Sequence, residues 1–299
     1  MLTPTERSAW PLICPVCEMV LANTGRALSC PNRHSFDVAK EGYTNLLLNH
    51  GPRTRVCGDV PAMVKARRSF LSAGFYRPLS DRLNRCVAQH LGQAEILQTE
   101  AQFTCIIEVG CGEGYYLSQL KCYLESQRPV WNIRYFGMDI SKAAIKLAAK
   151  QHRQINFVVA DVKRKIPFAT RSAAVLLNIF SPRQVTEFER VLARKGSCFV
   201  VIPGPEHLSS LRLEFGLLEI EVSKLERVTE QMRGVFELAQ QHALEYDLRL
   251  GGEALLQLIH MTPNYWHMSD EVSSRLLATT GLETKASFTI LEFRHRADN

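Results

Sequence analysis

Two sets of residues could do chemistry by type and spacing. Cys14 and Cys17, followed by Cys30 and His34, read C-x2-C-x12-C-x3-H. Each pair can form a tight knuckle that turns two donors toward one ion. Three thiolates and one imidazole complete a tetrahedron for Zn²⁺ with no open position, which implies a structural metal. Four unrelated reduced residues are the alternative, but random cysteines seldom fall into two knuckles at this spacing. The second set is residues 106–117, an apolar run through the acid Glu108 into Gly110-Cys111-Gly112-Glu113-Gly114 and then Tyr115-Tyr116-Leu117. Alternate glycines let a backbone turn sharply and approach a ligand closely, which suits a nucleotide pocket where a strand gives way to a helix. The spacing is G-x-G-x-G, not the G-x-G-x-x-G that cradles a dinucleotide pyrophosphate. Cys111 reads as a small residue in that turn and not as a nucleophile.

The elements that must hold these residues follow from periodicity. From residue 103 onward, strands and helices alternate as in a doubly wound α/β sheet. Residues 134–140 form a second strand ending at Asp139, an acid placed to accept hydrogen bonds from ribose hydroxyls. Its plainer role is a helix N-cap, which Ser141 could equally supply. Residues 156–161 form a third strand ending at Asp161, placed to meet an adenine amino group or simply to cap a turn. The fourth strand, residues 173–180, runs into Ser181-Pro182-Arg183, beyond whose carboxyl end a reacting group should lie. A helix carrying Phe188, Val191 and Leu192 should end at Gly196, before a fifth strand at residues 197–202 that leads to His207. Residues 236–246 and 288–293 look like closing antiparallel strands, giving a seven-stranded sheet. Between them, Tyr265 and Trp266 could stack on a flipped base or pack under the sheet.

Ahead of the sheet, residues 34–47 suggest a ribbon edge and residues 51–55 a basic loop in which Arg53 and Arg55 could meet phosphates. A helix should start with Asp59 as its cap and stop at Gly74, and a second should run from about Pro78 to Gly92. Lys65, Arg67 and Arg68 on the first could face RNA, though charge on a helix is more often its wet side. Cys86 and His90 share the apolar stripe of the second and read as core. The expected organisation is a zinc-binding module at 1–50, linker helices at 51–92 and a doubly wound α/β domain at 93–299, with the boundary near 93–102.

The chain has 299 residues, 46% of them hydrophobic, and a formal charge of +6. Residues 1–82 carry eleven Lys and Arg against six Asp and Glu, so the basic excess sits ahead of the sheet and points mildly to a polyanion. No signal peptide and no membrane-length apolar run is evident, so a cytoplasmic protein is expected, with nine cysteines serving as ligands or buried thiols and not as disulfides.

The glycine turn resembles motif I of class I S-adenosylmethionine-dependent methyltransferases, whose cofactor has no phosphate to hold. Together with the Cys14/Cys17/Cys30/His34 module it resembles the RlmA (RrmA) type 23S rRNA guanine-N1 methyltransferases. The likeness continues through Phe36, residues 39–43, residues 45–47, Gly58-Asp59, Ala66-Arg67-Arg68, Tyr76, Gly204-Pro205 and His207-Leu208, and Met261-Thr262-Pro263. It spans nearly the whole chain. The resemblance implies a Rossmann-like catalytic domain behind a zinc-ribbon-like module, a homodimer, 23S rRNA as substrate and no membrane partner. It also implies cofactor contacts on Tyr76, Tyr116, Leu117 and His207, beside Gly110, Gly112, Asp139 and Asp161.

Guanine N1 bears a proton at neutral pH, so a base or an environment favouring the deprotonated ring is needed. Asp161, Asn178 and His207 are the candidates, and no residue is singled out as catalytic. The competing reading is a small-molecule methyltransferase whose zinc module serves stability alone; it predicts a pocket too narrow for a nucleotide.

Overall fold

A computed structural model describes residues 10–48, 58–93, 104–127, 132–219, 221 and 223–296. The basic loop with Arg53 and Arg55 lies outside the described residues, as does the expected boundary at 93–102 apart from Gln93, which ends a helix. The chain begins with β1 (Ala22–Asn23), β2 (Ala27–Ser29) and β3 (Ser35–Asp37), a small antiparallel sheet that carries the knuckles. The next strand, β4 (Tyr43–Asn45), leaves this ribbon: it pairs in parallel with β7 (Asn156–Val159), Tyr43 opposite Phe157. The large sheet therefore has eight strands, not the expected seven. The extra strand covers what would otherwise be an open edge with unpaired N–H and C=O groups.

The first helix, α1 (Pro61–Ser72), starts on a proline with Val60 as its uncapped boundary residue. Asp59 does not cap it as expected, because its carboxylate is engaged by Arg67. Gly74 at φ +86° stops the helix as predicted. The second, α2 (Arg77–Gln93), continues through Gly92, so that glycine is not its stop. Leu79, Leu83, Val87 and Leu91 of α2 pack with Leu117, Leu120 and Leu124 of α3 (Tyr115–Gln127) on one face of the sheet. His90 is buried there against Ser197 and Glu292, a core histidine as expected.

The central strands are β5 (Thr104–Val109), β6 (Ile133–Asp139), β8 (Ala173–Ile179) and β9 (Leu192–Pro203), all parallel to one another and to β7. Their apolar residues are continuous because helices and the zinc module cover both faces. Helix α4 (Lys142–Gln151) takes Ser141 as N-cap, its Oγ accepting the Ala144 N–H at 3.3 Å. Helix α5 (Val185–Val191) ends five residues earlier than predicted, and Gly196 lies inside β9. A Cβ there would sit 2.8 Å from the Ala174 carbonyl oxygen, so the glycine marks close approach of two strands and not a helix end.

Beyond β9 come α6 (Ser209–Phe215), α7 (Lys224–Arg233), β10 (Phe236–Leu250), α8 (Gly252–His260), a 3₁₀ turn at Pro263–His267, α9 (Asp270–Ala278) and β11 (Leu282–His295). Strands β10 and β11 are the expected antiparallel pair, longer at the ends than predicted. Strand order is β10-β11-β9-β8-β5-β6-β7-β4, so the chain reverses direction across the sheet between β5 and β8. That switch point is where an open α/β sheet leaves a crevice beyond its strand ends. No helix among the described residues is long and apolar enough to cross a membrane.

The zinc module is seated on the opposite face from α2. Leu12, Cys14, Leu21, Leu28 and Cys30 share one apolar cluster with Ile107, Phe136 and Phe168 of the sheet side. The Ile13 N–H donates to the Pro167 carbonyl at 3.0 Å, and Trp10 meets the Phe136 ring edge-on at 5.3 Å.

Candidate functional site

Gly110, Gly112 and Gly114 adopt φ of +77°, +55° and +84°, the left-handed backbone that glycine tolerates. At Gly110 the constraint is doubled, since a Cβ would fall 1.9 Å from Ser181 Oγ. The turn opens a cleft of about 1990 Å³ along the carboxyl ends of the strands. Of the predicted cofactor residues, Tyr76, Gly110, Gly112, Tyr116, Asp139, Asp161 and His207 all line it. Leu117 does not: it is fully buried in α3, and its N–H donates to Glu108 Oε2 at 3.1 Å. That bond ties the strand end to the helix start, and burial pushes the Glu108 carboxyl well above the ordinary range.

Asp139 stands at the lip of the turn. Its Oδ2 accepts the Gly112 N–H at 2.9 Å and its Oδ1 the Ser141 N–H at 2.8 Å. Burial raises its pKa, against the lowering by those two amides. Each carboxylate oxygen keeps further acceptor capacity for a ribose hydroxyl. Asp161 Oδ1 accepts the Lys163 N–H at 2.9 Å, the turn-capping role, while the residue still lines the cleft.

Tyr76 comes from the segment after α1 and reaches His207, its hydroxyl 3.2 Å from Nε2. The Ser287 N–H donates to His207 Nδ1 at 3.3 Å. Burial holds His207 down to about 3, so the ring is neutral, with Nδ1 as acceptor and Nε2 carrying the proton. Tyr116 lines the same cleft, and its buried hydroxyl has no partner among the described residues. A buried hydroxyl left unbonded costs about 1–3 kcal/mol, so a ligand with a polar group at that place is favoured. The glycine cradle, two acids with spare acceptor sites and this orphaned hydroxyl fit S-adenosylmethionine.

Two of the three candidate bases are committed elsewhere, and the third, Asp161, lies beyond β7 on the side expected to take adenine. His207 has both ring nitrogens engaged. Asn178 is fully buried, its Nδ2 donating to the Pro182 carbonyl at 3.0 Å and its Oδ1 accepting from Arg183 at 3.4 Å.

Sequence reasoning left Arg67 open between an RNA-facing role and a wet helix face, and did not bring the other cations of the cleft together. Arg67 is not on a wet helix face: it engages Asp59, donates to the Met261 carbonyl at 2.8 Å and lines the cleft. Arg183, Arg212, Lys224 and Arg227 line it on the β8 and β9 side. They come from the part of the chain whose charge is balanced, so composition did not single them out. Their spacing, across a loop and two helices, carries no local signal. Trp266 is 62% exposed and also lines the cleft, whereas Tyr265 packs against His260 at 5.3 Å.

The metal set is assembled as predicted. Cys14, Cys17, Cys30 and His34 place one donor atom each within 4.8 Å of one another, His34 Nδ1 lying 3.5 Å from Cys14 Sγ and 3.4 Å from Cys30 Sγ. The Met19 N–H holds the Cys17 thiol down to about 6, which favours a thiolate ligand. Three soft sulfurs and an imidazole in a closed group fit structural Zn²⁺.

Residues 12–51 match the family model described as "RlmA, N-terminal", and residues 106–196 match that of a methyltransferase domain. The chain is 34% identical over 272 residues, 91% of each sequence, to a 23S rRNA (guanine(748)-N(1))-methyltransferase of Streptomyces fradiae. It is 35% identical to a protein of Micromonospora griseorubida provisionally named as a 23S rRNA (guanine-N1)-methyltransferase, over 86% of this chain and 87% of that one. The YcgJ protein of Bacillus subtilis superposes with a TM-score of 0.43 at 14% identity, over 70% of this chain and 100% of that one.

Proposed function

Because the chain belongs to the RlmA-type 23S rRNA (guanine-N1)-methyltransferases, we propose that it methylates N1 of a guanosine in a hairpin of 23S rRNA. The observation that carries the reading is a single cleft that joins the glycine cradle to a set of cations and an exposed Trp266. The cleft, about 1990 Å³, leaves room for an acceptor beside the cofactor.

S-adenosylmethionine, when bound, supplies a methyl group already activated on a sulfonium. Asp139 and Asp161 would take the ribose and adenine, and Tyr76, Tyr116 and His207 would close on the same ligand. The protein's share is then alignment, which can supply several kcal/mol of barrier lowering. The N1 edge is hidden in a Watson–Crick pair, so the target must sit in a loop or be flipped out, with Trp266 available for stacking. Zinc would hold the N-terminal module in shape, away from the reaction. We extend the reading to a cytoplasmic homodimer, on the resemblance to the family.

The test is methyl transfer from labelled cofactor to unmodified large-subunit rRNA by purified protein. Label on a guanosine N1 is expected, and no transfer to any rRNA at varied salt would sink the proposal. Primer-extension stops on rRNA from a deletion strain and its parent would then locate the nucleotide.

A further inference from the structure

The charges that line the cleft are unevenly paired. On the β5, β6 and β7 side, where the glycine turn lies, Asp59, Glu108, Glu113, Asp139 and Asp161 stand with Arg67, which engages Asp59, and with Lys163 and Arg164. On the β8 and β9 side, Arg183, Arg212, Lys224 and Arg227 stand with Glu219, which Arg212 takes. Arg227 is bidentate on Glu221, both oxygens at 2.9 Å. Arg183 has no carboxylate within 4.0 Å among the described residues; its guanidinium makes only long bonds, to Asn178 Oδ1 and Gln231 Oε1 at 3.4 Å and to the Ser181 carbonyl at 3.3 Å. Lys224 likewise forms no ion pair among the described residues. Around Arg183 stand Arg227, Lys224 and Gln231 on the α7 side and Cys198 of β9. A half-buried guanidinium crowded by two like charges is a standing electrostatic cost that an anion would relieve.

Arg183 occupies the loop after β8, next to Ser181, which in turn touches the position of Gly110. It thus stands where the reacting part of the acceptor must come, and neither Asn178 nor His207 is free there to act as a base. This inference rests on the proposed methylation of guanine N1. We infer that Arg183, backed by Lys224, holds the target guanine as its N1-deprotonated anion, with the negative charge on O6, in place of a protein general base. N1 releases its proton to solvent water. Its lone pair then forms the N1–C bond as the C–S bond of the sulfonium breaks, leaving a neutral thioether and a neutral methylguanine. Charge stabilisation by a fixed cation in a partly desolvated site is the kind of contribution that exceeds its value in water.

The experiment is single-turnover transfer to the rRNA hairpin across roughly pH 6 to 10, with hairpin affinity measured separately by anisotropy. Wild-type rate should rise with pH to a plateau. Arg183→Gln should move the break upward by about one unit and lower the neutral-pH rate about ten-fold, with the deficit closing at high pH and affinity changing less than about three-fold. Arg183→Lys should fall between, and Lys224→Gln should show a smaller shift of the same sign. As a readout independent of turnover, a hairpin with 6-thioguanosine at the target should show its ionised absorbance at lower pH when bound with S-adenosylhomocysteine than when free. Arg183→Gln should abolish that displacement. The inference is overturned by an unmoved break with the loss confined to affinity and its salt slope, which would make Arg183 a phosphate contact. It is overturned equally by a pH-independent rate or by an unshifted thioguanosine band. Wild-type protein that methylates no rRNA would overturn the proposed function, and this inference with it.

Discussion

The Tyr76 hydroxyl and His207 Nε2 lie 3.2 Å apart although 131 positions separate them in the chain. With Nδ1 accepting the Ser287 N–H, Nε2 must donate to the Tyr76 oxygen, which leaves the phenolic proton free for a third partner. Tyr76→Phe removes both roles and strands a ring N–H. Cofactor affinity measured by calorimetry should fall by about 1–2 kcal/mol, some five- to thirty-fold. An unchanged dissociation constant would remove Tyr76 from the site.

Gly110→Ala meets two obstacles, the positive φ and the Ser181 side chain. The backbone strain alone should cost about 1–3 kcal/mol of stability, with cofactor binding lost. In Gly110→Ala/Ser181→Gly the overlap is relieved and the strain is not, so the double variant should regain only part of the melting temperature. Full recovery would show that the left-handed backbone is unimportant.

Buried His90 and half-buried His207 both resist protonation: desolvation lowers His207 to about 3 and His90 to about 4, the latter against the pull of Glu292. Between those values and the ordinary 6.5, the unfolded chain binds protons that the folded chain refuses, so stability rises with pH through that window and is lost on acidification. Thermal midpoints taken from pH ~7 down to pH ~4.5 should decline, and His90→Gln should flatten the slope. A curve with no acid limb would contradict the burial of these rings.

Cys30→Ser should release the metal and lower the melting temperature of the whole chain. The reason is that Cys14 and Cys30 pack in the same cluster as Ile107 and Phe136, so the module cannot loosen without opening the sheet's covered face. Zinc content by mass spectrometry and melting followed by near-ultraviolet dichroism check this. Retained metal with unchanged melting would remove the zinc assignment.

Trp266→Ala should weaken hairpin binding by about 1–3 kcal/mol if one base stacks on it, with S-adenosylmethionine affinity unchanged. Loss of cofactor affinity instead would place the indole in the wrong half of the cleft.

Much of this was legible in residue types. The glycine turn, the knuckles and the acids at strand ends announce themselves because each needs particular chemistry at a fixed local spacing. Arg183, Lys224 and Arg227 do not, since they converge only through the packing of α7 beside the loop after β8. Strand β4 was unreadable for a related reason: three residues carry no periodicity, and a parallel edge pairing is set by long-range register. Gly196 was misread because a helix stop and a tight strand crossing call for the same residue.

The pairing of Tyr43 with Phe157 also has a consequence for vectorial synthesis. The metal-holding knuckles are complete once His34 has emerged, whereas the strand that β4 joins, and Pro167 and Phe168 beneath the module, come more than a hundred residues later. At roughly 5–20 residues per second that is a wait on the order of 6–25 s. During that interval the nascent module has metal as its main source of order, and Leu12, Leu21 and Leu28 have no sheet to cover them. Zinc supply during translation would then decide how long that apolar face stays exposed to chaperones or to neighbouring chains.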